Sequence, residues 1–241
     1  MFKRFLLATL MTHAFASASE GDVPQRVVIV AARDSEWASY RHAYGAAASF
    51  AKVVASRPLI QAHMQIRPLE PGLSLDGLHI VLEGETTKAD IAVDAIGRAT
   101  IPMLKKAYDE DAVLRLNRMK GSFRFSGRFT IREREDGVYS MAYLKSACEQ
   151  LISAQRESGN RLRLWGKKCS AVTFAYRLDD TQAAIAVRTV AGEEKSIAAA
   201  VGHPFDAGNA APYMVVTLRF ADWPADAHVA ARMPLAIGTL Y

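Results

Sequence analysis

The sequence predicts a mainly β fold of the α+β type with two principal helices. From residue 59 onward, short segments place apolar residues at every second position, which is typical of half-buried strands. Apolar residues recur at helical spacing in only two long segments, one near the start of the chain and one near its middle. Stretches rich in Gly, Pro, Asn and Asp separate these elements, as turns and loops do.

The first 18 residues have the layout of a secretory signal peptide. Lys3 and Arg4 precede the apolar run 5–11, and small residues at 14, 16 and 18 offer cleavage sites. The alternative is a buried N-terminal helix. The apolar run is shorter than the roughly 20 residues that a helix needs to cross a bilayer, and no later run is long, apolar and uncharged. The sequence therefore predicts a periplasmic or secreted protein with residues 1–18 removed and no transmembrane segment.

Residues 19–58 are predicted to form an N-terminal strand followed by an amphipathic helix. The strand is the segment "RVVIVA" at 26–31. Asp34 or Ser35 is expected to cap the helix, and Pro58 forbids its continuation. One face of the helix carries an apolar and aromatic stripe, which indicates core or docking surface rather than a ligand box; its members are Trp37, Tyr40, Tyr44, Ala47, Ala51 and Val54.

Residues 59–135 are predicted to form a module of strands. Alternation starts at 60–67 and continues in three further segments, with a turn at 94–97. The clearest pattern lies in "SFRFSGRFTIRER", where Phe123, Phe125, Phe129 and Ile131 share one face and Gly127 stands in register between them. Polar residues and arginines occupy the opposite face of that strand.

The segment "GLHIVLEGETTKADIAVDAIGRATIP" within this module resembles the carboxypeptidase-regulatory-like, or transthyretin-like, modules. The matching positions are Val81, Gly84, Asp94, Gly97, Ile101 and Pro102. The resemblance implies a β-sandwich-like, non-catalytic module over residues 59–135. The whole chain also resembles exported proteins of proteobacteria, which implies no particular activity. The expected fold is thus a β-sandwich-like module plus a second α+β lobe.

The second lobe, residues 136–241, is predicted to contain a helix pinned by a disulfide. Cys148 lies on the apolar stripe of that helix, residues 158–160 end it, and Cys169 precedes an alternating strand. In an exported chain two cysteines are usually bonded, so we expect the Cys148–Cys169 disulfide. A redox-active pair or half of a zinc site are the alternatives, although neither the spacing nor nearby histidines favour them.

The remainder of this lobe is predicted to be strands and loops. Strands are expected at 171–176, 183–190 and 213–220, with a long surface loop at 201–212. The C-terminal tail ends apolar and is expected to pack against the protein.

The charge balance argues against nucleic acid as a partner. The chain has 30 Lys and Arg against 25 Asp and Glu, a formal charge of +5. Removal of residues 1–18 takes away Lys3 and Arg4 and leaves +3. This is weaker than the strong basic bias of nucleic-acid-binding domains.

The sequence carries no recognisable catalytic or cofactor motif. It has no Gly-x-Ser-x-Gly elbow, no His-Glu-x-x-His helix and no glycine-rich phosphate loop. The histidines are scattered, without metal-ligand spacing, so no metal and no cofactor are expected. His203, with Asp206 nearby in a turn-rich loop, is the best acid–base candidate, although a solvated loop histidine is the more ordinary interpretation.

An arginine row is the most distinctive surface feature that the sequence predicts. Arg124, Arg128 and Arg132 lie on one face of a strand, and each is about 13 Å from the next because a strand rises about 3.3 Å per residue. Arg115 on the preceding strand could extend the row. Such a face could bind lipid phosphates, polyanionic glycans or an acidic protein. An ordinary solvated sheet face is the alternative.

Together these observations predict an exported, non-enzymatic binding or accessory protein of the bacterial cell envelope. Its expected partner is an anionic ligand or an envelope protein that contacts the arginine row. A hydrolase of unrecognised type that uses the His203–Asp206 loop is the alternative, and a purely structural subunit of an envelope assembly is a third interpretation.

Overall fold

Residues 35–205 and 212–241 are described by the computed structural model, and they belong to one compact unit. Three features of the sequence analysis lie outside the described residues: the predicted signal peptide 1–18, the predicted strand 26–31 and the candidate residue Asp206. The described elements are mostly antiparallel strands with three α-helices, which confirms the predicted mainly β, α+β class.

In chain order the elements are β1 (Ser35–Ser39), α1 (Tyr40–Ala55), β2 (Ile60–Pro68), β3 (His79–Glu83), β4 (Lys88–Ala92), β5 (Arg98–Ala99), α2 (Lys105–Asp109), β6 (Val113–Met119), β7 (Phe123–Ile131), β8 (Val138–Ser140), α3 (Met141–Gln155), β9 (Ala171–Tyr176), β10 (Ala184–Arg188), β11 (Glu194–Ala198), β12 (Ala200–Gly202), β13 (Tyr213–Arg219), β14 (His228–Ala231) and β15 (Ala236–Leu240).

A seven-stranded antiparallel sheet, in the order β12-β13-β9-β15-β7-β2-β5, forms the centre of the fold. The C-terminal strand β15 lies between β7 and β9, where Ile237 is opposite both Ile131 and Phe174. The apolar tail therefore packs, as the sequence predicts. Strands from both sides of the predicted boundary at 135/136 hydrogen-bond within this one sheet.

Two four-stranded sheets flank this centre, in the orders β1-β6-β3-β4 and β11-β10-β14-β8. One hydrophobic core combines the first of these sheets with Tyr40 and Ile66. A second, larger core combines α3 with the central sheet and the second small sheet, around Leu144 and Phe174. Alternating apolar side chains on each strand supply the inner faces of these cores.

The turn after β4 has the chemistry that the sequence predicts. The carboxylate Oδ1 of Asp94 accepts hydrogen bonds from the backbone N–H groups of Ile96 and Arg98, at 3.1 and 2.8 Å. Gly97 has φ +82°, in the left-handed region that favours glycine.

Helix α1 begins later than its predicted start at residues 34–35. Ser35–Ser39 instead forms β1 and pairs with β6, with Ala38 opposite Leu114. Ser39 is the residue that caps the helix, because its Oγ accepts from the N–H of His42. The apolar spacing of this stretch fits a helix, but the open edge of β6 offers its backbone a hydrogen-bonded partner. The end of the helix before Pro58 is as predicted.

Helix α3 and its disulfide match the prediction. The helix buries seven side chains on its core face, and the chain turns away at Gly159, which has φ +98°. The sulfurs of Cys148 and Cys169 are bonded at 2.03 Å. The bond joins the middle of α3 to the segment that leads into β9.

Gly127 in β7 gives room to an aromatic ring from α1. A Cβ atom at residue 127 would lie 1.9 Å from Cε2 of Phe50, far inside any tolerated contact. The Phe50 ring also meets Phe129 edge-on, with 5.0 Å between ring centroids. The absence of a side chain at 127 therefore sets how Phe50 sits on the sheet.

We expect the double variant Cys148→Ala/Cys169→Ala to lose about 3 kcal/mol of unfolding free energy, because the bond closes a loop in the unfolded chain. Urea unfolding measures the loss, and chemical reduction of the wild type should produce a similar shift. Unchanged stability in both would contradict a structural role for the bond.

We expect Gly127→Ala to lower the unfolding free energy by about 1–3 kcal/mol, since the new methyl group displaces the Phe50 ring. In a Phe50→Ala background the same change should have little effect, which a double-mutant cycle measures. Gly45→Ala is the matched control: its site is open, and alanine favours the helix by up to about 1 kcal/mol. Equal losses with and without Phe50 would disprove the steric account.

Candidate ligand-binding groove

Helix α1 packs incompletely on the central sheet. It spans 16 residues and buries only Tyr40, whereas α3, of 15 residues, buries seven side chains. The side chains that α1 turns toward the sheet are mostly small, among them Ala43 and Ala47, and these cannot reach across the space that the Phe50 ring holds open. An apolar groove is left between α1 and the strands β2 and β7.

The groove has a volume of about 770 Å³. Its helix wall contains Ala46 and Phe50, and its sheet wall contains Met64 and Phe125. Trp37, which is 48% exposed, lies at its border. Every lining residue that the structure describes is apolar, glycine, serine, threonine or histidine, so no carboxylate, lysine or arginine faces the space.

Polar contacts fix α1 at both ends and so hold the helix wall of the groove in place. At the start of the helix, the Tyr40 hydroxyl donates to the carbonyl of Pro102 and accepts from the N–H of Leu104 at 2.8 Å. Past the C-terminal end, Arg57 donates to Ser153 Oγ at 3.1 Å and to Glu157 at 2.6 Å. Preformed sites avoid part of the ordering cost of binding.

His63 is the most perturbed titratable group near the groove. It lies on β2 opposite Arg128, and its Nε2 atom is buried with no hydrogen-bond partner among the described residues. Burial, with the positive charges of Arg98 and Arg128 adding to it, lowers the pKa of His63 from 6.5 to about 3. The imidazole is therefore neutral at neutral pH and contributes no charge to the groove.

A second, polar cleft of about 590 Å³ adjoins His63 between β2 and β4. Arg98 is bonded within it three times: it donates to Asp94 at 2.6 Å, to Glu133 at 2.6 Å and to the carbonyl of Leu235 at 2.6 Å. Because Glu133 follows β7 and Leu235 precedes β15, this network joins distant parts of the chain. The three bonds of Arg98 and the distant segments that they join indicate a structural role for this arginine.

The four predicted anion-binding arginines lie in different environments. Arg124 is exposed, while the Arg128 guanidinium stacks 4.3 Å over the ring of Phe205. Arg132 donates to the carbonyls of Pro58 and Ile60, both at 3.2 Å. Arg115 belongs to another sheet, where its Nε donates to Glu83 at 2.6 Å.

Arg124 and Arg128 lie on the sheet face opposite the groove, since Phe125 and Phe129 point to the α1 side.

His203 follows β12 and lies beside Gln65, Arg128 and Tyr213. Its proposed partner Asp206 is outside the described residues, so the structure does not bring the two together. Within residues 35–205 and 212–241, no cluster of three His, Cys, Asp or Glu side chains could hold a metal ion.

Sequence reasoning identified the helix stripe but not the space beneath it. The members of the stripe have different surroundings in the structure. Tyr40 is buried in the core, and the ring centroids of Tyr44 and Tyr108 are 5.1 Å apart. Ala47, Ala51 and Val54 line the groove. The available signal was the segment "GAAASFA", which offers one large side chain where a tightly packed helix carries several.

We expect His63 to make the protein less stable in mild acid. Its folded pKa lies below its unfolded value of 6.5, so the stabilisation is present above pH 6.5 and is lost as the pH falls toward 3. Between pH 7 and pH 5, wild type should lose about 1–2 kcal/mol more than His63→Gln in urea unfolding.

His79→Gln provides the control, since it removes a histidine whose side chain is exposed. An identical acid response of wild type and His63→Gln would show that His63 is not buried in its neutral form.

No helix among the described residues is both long and apolar enough to cross a membrane. Comparison of the chain with models of known protein families, with curated proteins and with solved structures returned no match.

Proposed function

We propose that the protein is an exported, non-enzymatic binding protein of the bacterial cell envelope, and that its groove holds an apolar small molecule of the acyl-chain class. One observation carries this proposal: an apolar groove of about 770 Å³ beneath α1 whose lining has no carboxylate, lysine or arginine. Such a volume lies within the range of small-molecule sites, which are mostly apolar with a few polar groups.

The lining restricts the chemistry of the ligand. A buried charged group would need a partner of opposite charge, and the lining offers none. Apolar surface gains about 25 cal/mol for each Å² removed from water, so hydrocarbon is the favoured content. The exposed side chains of His42 and Thr100 on the lining can hydrogen-bond an uncharged hydroxyl or ester group of the ligand.

The proposed location is supported by the signal-like N-terminus and by the Cys148–Cys169 bond, which is compatible with an oxidising compartment. The hydrolase alternative needs Asp206, which lies outside the described residues. Binding in the groove does not depend on Arg124 and Arg128, because these two arginines lie on the other face of the sheet.

The proposal predicts that the neutral apolar dye N-phenyl-1-naphthylamine binds the purified protein with enhanced fluorescence, and that dodecanol displaces it. Ala46→Trp should weaken dye binding at least about tenfold, because the indole occupies apolar contact area that the dye needs. Ala46 is exposed and lines the groove, so the substitution spares the core.

Ala55→Trp is the matched control, since Ala55 is exposed on α1 and does not line the groove. Its dye affinity should equal that of the wild type. The proposal fails if the dye does not bind, or if both tryptophan variants bind it as the wild type does.

A further inference from the structure

The loop that follows α3 presents two apolar side chains to solvent among basic ones. Its sequence is "RLRLWGKK", residues 161–168, and we name it the basic–aromatic loop. Leu162 is 89% exposed and Trp165 is 77% exposed. The groove does not include any residue of this loop, so its role is separate from the proposed function.

The basic–aromatic loop is held in place by several contacts. Leu164, between the two exposed apolar residues, is fully buried and anchors the loop. Arg156 donates to the carbonyls of Leu164 and Lys167, at 3.2 and 2.6 Å. The disulfide at Cys169 adds a covalent restraint at its end. The outward position of Leu162 and Trp165 is therefore a property of the fold rather than of a free chain.

All four charged side chains of the loop are basic and exposed: Arg161, Arg163, Lys167 and Lys168. The nearest acidic residue along the chain on the α3 side, Glu157, is already paired with Arg57 at 2.6 Å. Residues 158–178 contain no acidic residue, so the charged neighbours of Leu162 and Trp165 along the chain are all basic. Each Lys or Arg near an anionic membrane surface strengthens binding by about fivefold.

The combination of residue types points to one kind of partner. A soluble polyanion would satisfy the cations but would leave Leu162 without apolar surroundings. The interface of a bilayer offers both phosphates and hydrocarbon, and tryptophan is enriched at that depth. We propose that the basic–aromatic loop docks the protein onto an anionic phospholipid surface, with Leu162 and Trp165 among the headgroups and Arg161, Lys167 and Lys168 on the phosphates.

The test is co-sedimentation of the full protein with vesicles of phosphatidylcholine alone or of a three-to-one mixture of phosphatidylcholine and phosphatidylglycerol. We expect at least about tenfold tighter binding to the anionic vesicles, weakened by added salt. Leu162→Ser/Trp165→Ser and, separately, Lys167→Gln/Lys168→Gln should each lower that affinity about tenfold or more.

Val190→Ser/Val201→Ser is the matched control, because these two side chains are 71% and 66% exposed and lie outside the loop. It should bind as the wild type does. The side chains substituted in these three variants are exposed, so circular dichroism is expected to confirm the folding of each.

A spectroscopic readout locates the contact. In a Trp37→Phe/Trp223→Phe background, Trp165 fluorescence should shift to the blue on addition of anionic vesicles. Equal binding to both vesicle types, or full binding by Leu162→Ser/Trp165→Ser, would overturn the proposal. So would binding to native envelope vesicles that protease treatment of those vesicles abolishes, because the partner would then be a protein.

Discussion

The contact of Phe50 with Gly127 determines how α1 lies on the central sheet. One large ring occupies the position where β7 lacks a side chain, and the neighbouring positions of the helix are mostly alanine. Close packing normally fills the space between a helix and a sheet. Here the Tyr40 contacts at one end and the Arg57 contacts at the other hold the helix in place, and the alanines leave the space unfilled. The groove follows from this arrangement.

Local pattern predicted the elements that depend on local chemistry. Alternation predicted β7, the Asp94–Gly97 turn followed from side-chain capping and positive φ, and the cysteines indicated the disulfide. The misplaced start of α1 shows the limit, because pairing of β1 with a strand some 75 residues later depends on tertiary structure. The two-residue strand β5 likewise gains its hydrogen bonds from a strand well before it in the chain, where Met64 and Gln65 of β2 lie opposite Ala99 and Arg98.

The arginine row illustrates why a face cannot be judged from one strand. Alternation places Arg124 and Arg128 on the same face as expected, but what covers that face comes from elsewhere in the chain, such as the Phe205 ring over Arg128. Arg132 instead binds backbone carbonyls at the start of β2. The groove could not be predicted from the sequence either, because an unfilled space is a property of two packed elements and not of either one.

The measurement that tests the central claim most directly is native, non-reducing mass spectrometry of the protein isolated without detergent from a bacterial envelope. The account predicts a chain cleaved near residues 16–18, oxidised at both cysteines, and carrying a non-covalent apolar molecule that organic solvent removes. A cleaved, oxidised chain that is empty, and that takes up no molecule from an envelope lipid extract, would contradict the assignment of the groove as a ligand site.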